Sequence, residues 1–106
     1  MESHFKDALK NGAVLEIECI SAITHSSNNL RGEWLFFARE VLNGRVVRSA
    51  LCSYRKTDPR VIKTAQEVAS LAANLGATVA SIPFVEGKVV VCEVSFPEAS
   101  AEDGDN

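Results

Sequence analysis

The chain has little of what would place it in a membrane, a secreted scaffold or a metal site. In its 106 residues no apolar run approaches the ~18 that suggest a membrane span, so a soluble protein is expected. Its three cysteines, Cys19, Cys52 and Cys92, are odd in number, far apart and without a Cys-x-x-Cys pair. That excludes a fully paired disulfide framework and fits reduced, buried thiols. Residues 1–6 lack the charged head, apolar middle and small-residue cleavage site of a secretory signal; with the thiols, this gives a cytoplasmic expectation.

Catalytic ingredients are equally sparse. Two histidines, His4 and His25, and the scattered thiols offer no zinc-ligand spacing, so neither a metal nor another cofactor is expected. His25 precedes Ser26 and Ser27, but neighbours in a polar loop are not an oriented triad. No Gly-x-Ser-x-Gly turn and no phosphate-cradling glycine loop is present. Cys52 and Cys92 fall in strand-like stretches, where thiols are usually inert packing. Glu16 and Glu18 share one strand face, which a solvated surface explains more simply than paired acid–base chemistry. The expectation is a protein that is not an enzyme.

What is present is enough for one modest core: 46% apolar and 24% charged residues, with no internal repeat or linker. Residues 57–76 carry the clearest local signals. Asp58 can cap a first turn, Pro59 suits the first helical position and Gly76 suits a left-handed stop. Between them Val61, Ala65, Val68, Ala72 and Leu75 fall on one stripe, with Arg60, Lys63, Glu67, Ser70 and Asn74 opposite. The spacing predicts a long amphipathic helix over 58–75. A short helix over 3–11 is expected before it, capped by Ser3 and ended by Gly12.

The remaining stretches read as strands. Residues 13–24 alternate; 33–42 and 45–55 flank Asn43-Gly44, the commonest two-residue hairpin signal; 77–85 and 88–96 flank Glu86-Gly87. Pro83 cannot donate to a ladder, so the fourth strand belongs on an edge. Placing the fifth strand beside the first gives an α+β fold, (α)βββαββ. Its single five-stranded antiparallel sheet has the order 4-5-1-2-3 and the long helix on one face. Residues 1–97 form this domain, and 98–106, with Glu98, Glu102, Asp103 and Asp105 and no base, read as a disordered acidic tail.

Two details of the first hairpin are informative. A tight Asn43-Gly44 turn sets Arg39 opposite Arg48, and like charges there are unfavourable. Either a glycine bulge slips the register, bringing Glu40 diagonal to Arg48, or the two arginines share an anion. The second strand is also apolar at both parities, with Trp34 and Phe36 on one side and Leu35 and Phe37 on the other. Both of its faces should therefore be covered, one by the helix and one by a partner or a second copy.

Charge supplies the functional expectation. The net charge is −3, yet residues 39–63 hold seven bases against two acids, a local balance of +5 that leaves −8 elsewhere. Arg39, Arg45, Arg48, Arg55, Lys56, Arg60 and Lys63 are candidate contacts to an anionic partner, nucleic acid among them. Trp34, Phe36, Phe37 and Tyr54 are candidate stacking platforms for unpaired bases. The acidic tail could compete for this surface as a tethered counterion. The alternative is a protein–protein interaction module, an adaptor, inhibitor or accessory subunit, acting through an exposed sheet face and self-associating as a homodimer.

The order short helix, three strands, long helix over residues 3–75 resembles, in outline, double-stranded RNA-binding domains. In that family the second long helix opens with basic residues aimed at phosphates, and the resemblance puts Arg60 and Lys63 at comparable places. Here Asp58-Pro59-Arg60 replaces the family's run of lysines, the first helix is shorter, the usual motif between the first two strands is absent, and a further hairpin follows.

Overall fold

The computed structural model describes residues 2–26, 29–53 and 58–96. Among these, helix α1 (Glu2–Lys10) leads into the long strands β1 (Val14–Ser26) and β2 (Asn29–Leu42). Then come β3 (Arg45–Ala50), the short β4 (Ile62–Thr64), helix α2 (Ala65–Asn74) and β5 (Val89–Cys92). All strand pairs are antiparallel, in the order β3-β2-β1-β5, with β4 also on β2. The α+β class and the antiparallel sheet agree with the pattern of the sequence. So does the placement of β5 beside β1.

The Asn43-Gly44 turn is used as expected, with positive φ at both residues (53° and 79°). No bulge slips the register: Arg39 lies directly opposite Arg48 and Val41 opposite Val46. One sheet face carries Leu15, Ile17 and Cys19 of β1 and Trp34, Phe36 and Ala38 of β2, all buried. Phe5 and Leu9 of α1, Val68, Leu71 and Ala72 of α2, and Leu75 belong to the same core, with Ala13, Leu51, Ile62 and Cys92. The core is amphipathic helices on one face of a sheet, the expected two-layer solution.

Three expectations fail for physical reasons. The long helix over 58–75 begins only at Ala65, because residues before it are held by the sheet. The Arg60 N–H donates to the Leu51 carbonyl at 2.8 Å, and Ile62, buried, pairs with Trp34. Val61, assigned to the apolar stripe, is consequently exposed. The true N-cap is Thr64, whose Oγ1 accepts from the Glu67 N–H at 3.1 Å. The stop is as expected: Gly76 adopts φ +97°, and a Cβ there would sit 2.6 Å from the Phe96 ring.

The third strand, expected over 45–55, is interrupted. β3 pairs with the C-terminal half of β2 and β4 with its N-terminal part, on the edge away from β1. The two are thus successive pieces of one edge. Between them the chain leaves at Cys52 and returns at Pro59, joined by a bridge between these residues and by the Ser53 N–H donating to the Asp58 carbonyl at 3.0 Å.

The fourth strand, expected over 77–85, does not form. Only Ala77 makes a bridge, to Val94, and the segment then crosses toward β2, where the Pro83 carbonyl accepts from the buried Trp34 Nε1–H at 2.7 Å. A buried indole needs an acceptor, and this segment supplies it instead of a ladder. The order 4-5-1-2-3 is therefore replaced by β3-β2-β1-β5, and β5 is limited to four residues. The disordered-tail reading of 98–106 concerns residues outside those described.

Candidate functional site

The side of the sheet away from the helices is built by the alternate residues of the same strands. Glu16 and Glu18 of β1 lie opposite Phe37 and Leu35 of β2 on one side and Val91 and Val89 of β5 on the other. Across the hairpin, Phe37 faces Ala50, Arg39 faces Arg48 and Val41 faces Val46. The buried helix residues pack on the other face, with Leu15, Ile17, Trp34 and Phe36.

Its centre is an ion-pair cluster. Arg39 Nε donates to Glu16 Oε2 at 2.6 Å and Arg48 Nε donates to Glu16 Oε1 at 2.7 Å, while Arg48 also reaches Glu18 Oε1 from a terminal nitrogen at 3.0 Å. The two opposed arginines do share an anion, and it is a glutamate of the neighbouring strand. To reach β1, Arg48 crosses Phe37 with its guanidinium 3.6 Å from the ring centre. Such a contact contributes ~0.5–1 kcal/mol at an exposed site, and the stem shields the ring from water.

Glu16 is only 7% exposed. Burial pushes its carboxyl up, but the hydrogen bonds and charges of Arg48 and Arg39 outweigh this and hold it below the ordinary glutamate range. The same balance acts on Arg48: desolvation favours losing its charge, and Glu16 and Glu18 more than reverse that. A second pair on this face, Lys63 Nζ to Glu33 Oε2 at 3.0 Å, is more exposed.

The candidate anion-binding residues are therefore not gathered on one surface. Arg39, Arg48 and Lys63 lie on the open face, each in an ion pair. Arg45 sits at the exposed hairpin end opposite Leu42, on the other side of the pleat from Arg48. Arg60 is half-buried between the Pro59 bridge and β4, ahead of α2 rather than on it. Lys63 likewise precedes the helix, so the position comparable to an RNA-binding helix start is lost for both. Arg55, Lys56 and Tyr54 lie outside the described residues.

Of the candidate stacking residues, Trp34 and Phe36 are 0% exposed in the core and present no ring face to a ligand. Phe37 is on the open face, beneath Arg48. What the sequence reading missed is Glu16. Its signal was the pair of arginines set opposite each other by the Asn43-Gly44 turn, which called for a shared anion close by.

Among the described residues no group of three His, Cys, Asp or Glu side chains is placed to hold a metal ion. Cys19 and Cys92 are buried and Cys52 is half-buried. No described helix is long and apolar enough to cross a membrane. No family model matches the chain, and neither a curated protein nor a solved structure matches it.

Proposed function

We propose that the protein is an interaction module that binds another protein through the open face of its sheet. One observation carries the reading: the bases on that face are spent on carboxylates of the same face. Arg39 and Arg48 are held by Glu16 and Glu18, and Lys63 by Glu33, three bases against three acids. A polyanion would have to displace Glu16 from two guanidinium groups, and binding driven by counterion release needs a net positive surface. Around the cluster, Val41, Val46 and Val91 remain 65%, 66% and 55% exposed. Apolar residues ringing a neutral polar centre suit a protein partner better than a phosphate backbone.

A photo-reactive side chain in place of Val91, compared with one in place of the exposed Gln66 on α2, tests the reading in a cell extract containing the full chain. Protein adducts, whether to itself or to another protein, are expected from position 91 and not from 66. Equal yields from both positions contradict it. A gel-shift panel of single- and double-stranded DNA and RNA at low salt supplies the competing outcome: a shift that fades steeply with salt returns the function to an anionic partner.

A further inference from the structure

We infer that the occupant of the open face is a second copy of this chain, packed face to face about a two-fold axis that runs along the strands between β1 and β2. This rests on the reading of that face as a docking surface. The central charges of the face are sorted by strand. The acids Glu16 and Glu18 are on β1, and the bases Arg39 and Arg48 are on β2 and β3. The face is neutral in sum but divided, acidic toward β5 and basic toward the β3 edge. A strongly acidic or basic partner would match one half and oppose the other. The surface that complements such a face is the same face turned over.

Of the two half-turns that keep the strands of the two sheets aligned, one achieves this. An axis along the strands lays β1 of each copy over β2 of the other and β5 over β3. Glu16 of each copy then lies over Phe37 of the other and the Arg48 guanidinium that crosses it, and the exposed Val91 lies over Ala50. An axis across the strands would stack β1 on β1, setting glutamates over glutamates, and like-charge juxtaposition is strongly unfavourable. Near the preferred axis Arg39 of each copy comes beside Glu16 of the other. Among the described residues Arg39 uses only its Nε–H, leaving guanidinium donors for a second carboxylate. The intramolecular pair then becomes a closed ring of two acids and two bases.

The area is sufficient, though small. Four strands ~4.8 Å apart and about six residues long at ~3.3 Å each give a face of roughly 20 by 20 Å. Two such faces cover roughly 800 Å² in flat projection, and the relief of their side chains brings the buried surface to about the ~1,000 Å² lower limit for a specific interface. Sheets stacked in this way lie ~10 Å apart with strands about 30° from parallel, which an axis along the strands permits.

The test is a light-scattering mass of the full chain over a concentration series, with Val91→Lys beside it. The intact chain should show twice the monomer mass at high concentration. Val91→Lys should keep its circular dichroism and raise the dimer dissociation constant on the order of tenfold or more. A monomer at every concentration overturns the second-copy inference; adducts from position 91 to a different protein would then leave the docking reading standing, and no adducts would remove both. A folded Val91→Lys chain that still dimerises unchanged places the interface elsewhere and also overturns the inference. The axis is read from isotope-filtered contacts between copies: Val91 to Ala50 is expected, and Val91 to Val91 contradicts it.

Discussion

The covered and open faces of this sheet are made from alternate residues of the same strands, and they exclude water by opposite means. On the covered face Ile17 lies opposite Phe36 and Cys19 opposite Trp34, all at 0% exposure under the helices. On the open face Glu16 is almost as inaccessible, at 7%, with no helix above it. There the cover is two arginine side chains, drawn over Phe37 and Glu16 by the charge they neutralise. Burial is thus not the property of one face, and an ion pair can act as a lid.

The largest expected effect separates the faces most sharply. Trp34→Ala should cost ~3–5 kcal/mol in chemical denaturation, from the lost burial of the indole and the cavity it leaves. Trp34→Phe should cost less, ~1–3 kcal/mol, because it fills much of the space but leaves the buried Pro83 carbonyl unpaired. On the open face Glu16→Ala should cost ~1.5–3 kcal/mol, because it removes two charge-assisted bonds and leaves Arg39 opposite Arg48 with no shared anion. The arginine side chains are 38% and 34% exposed, so water screens part of that repulsion. The Glu16→Ala penalty should shrink in high salt, whereas the Trp34→Ala penalty should not.

Acid offers the same contrast without mutation. The folded-state pKa of Glu16 lies below its ordinary value of 4.5. Its contribution is therefore complete above that value and is lost as pH falls through the lowered folded one. Denaturation at a series of acidic pH values should show this loss in the parent chain, and Glu16→Gln should lack that component. Smaller effects are expected away from both faces and within the lid. Thr64→Ala should cost ~1 kcal/mol through the lost cap of α2. Arg48→Lys, which keeps the charge but not the fork that reaches both Glu16 and Glu18, should cost ~0.5–1 kcal/mol in the same denaturation assay.

What was legible in the sequence was what neighbours along the chain decide. The Asn43-Gly44 turn, the Gly76 stop and the alternation of β1 are local, and the structure contains them. What was hidden depended on contacts between distant segments. Asp58-Pro59 looks like a helix start, but pairing of Ile62 with Trp34 holds the following residues extended until Thr64. The cap that forms, Thr64 with the Glu67 N–H, lies six residues beyond Asp58. Residues 77–85 have strand composition, yet the indole of Trp34 claims the Pro83 carbonyl. Glu16 read as solvated because alternation shows which face a residue is on and not what lies across from it. Its arginine partners are 23 and 32 positions away.

Glu16 holds both arginines, and that pairing leaves the open face without net positive charge, its acids on β1 and its bases on β2 and β3. The most direct measurement is the side-chain carboxyl chemical shift of Glu16 followed by NMR as pH is lowered in the folded chain. A midpoint below the ordinary value of 4.5 is predicted, rising toward it in Arg48→Gln. A midpoint at or above 4.5 in the intact chain would mean that the arginines are not committed to Glu16, and would contradict the neutral, self-complementary face.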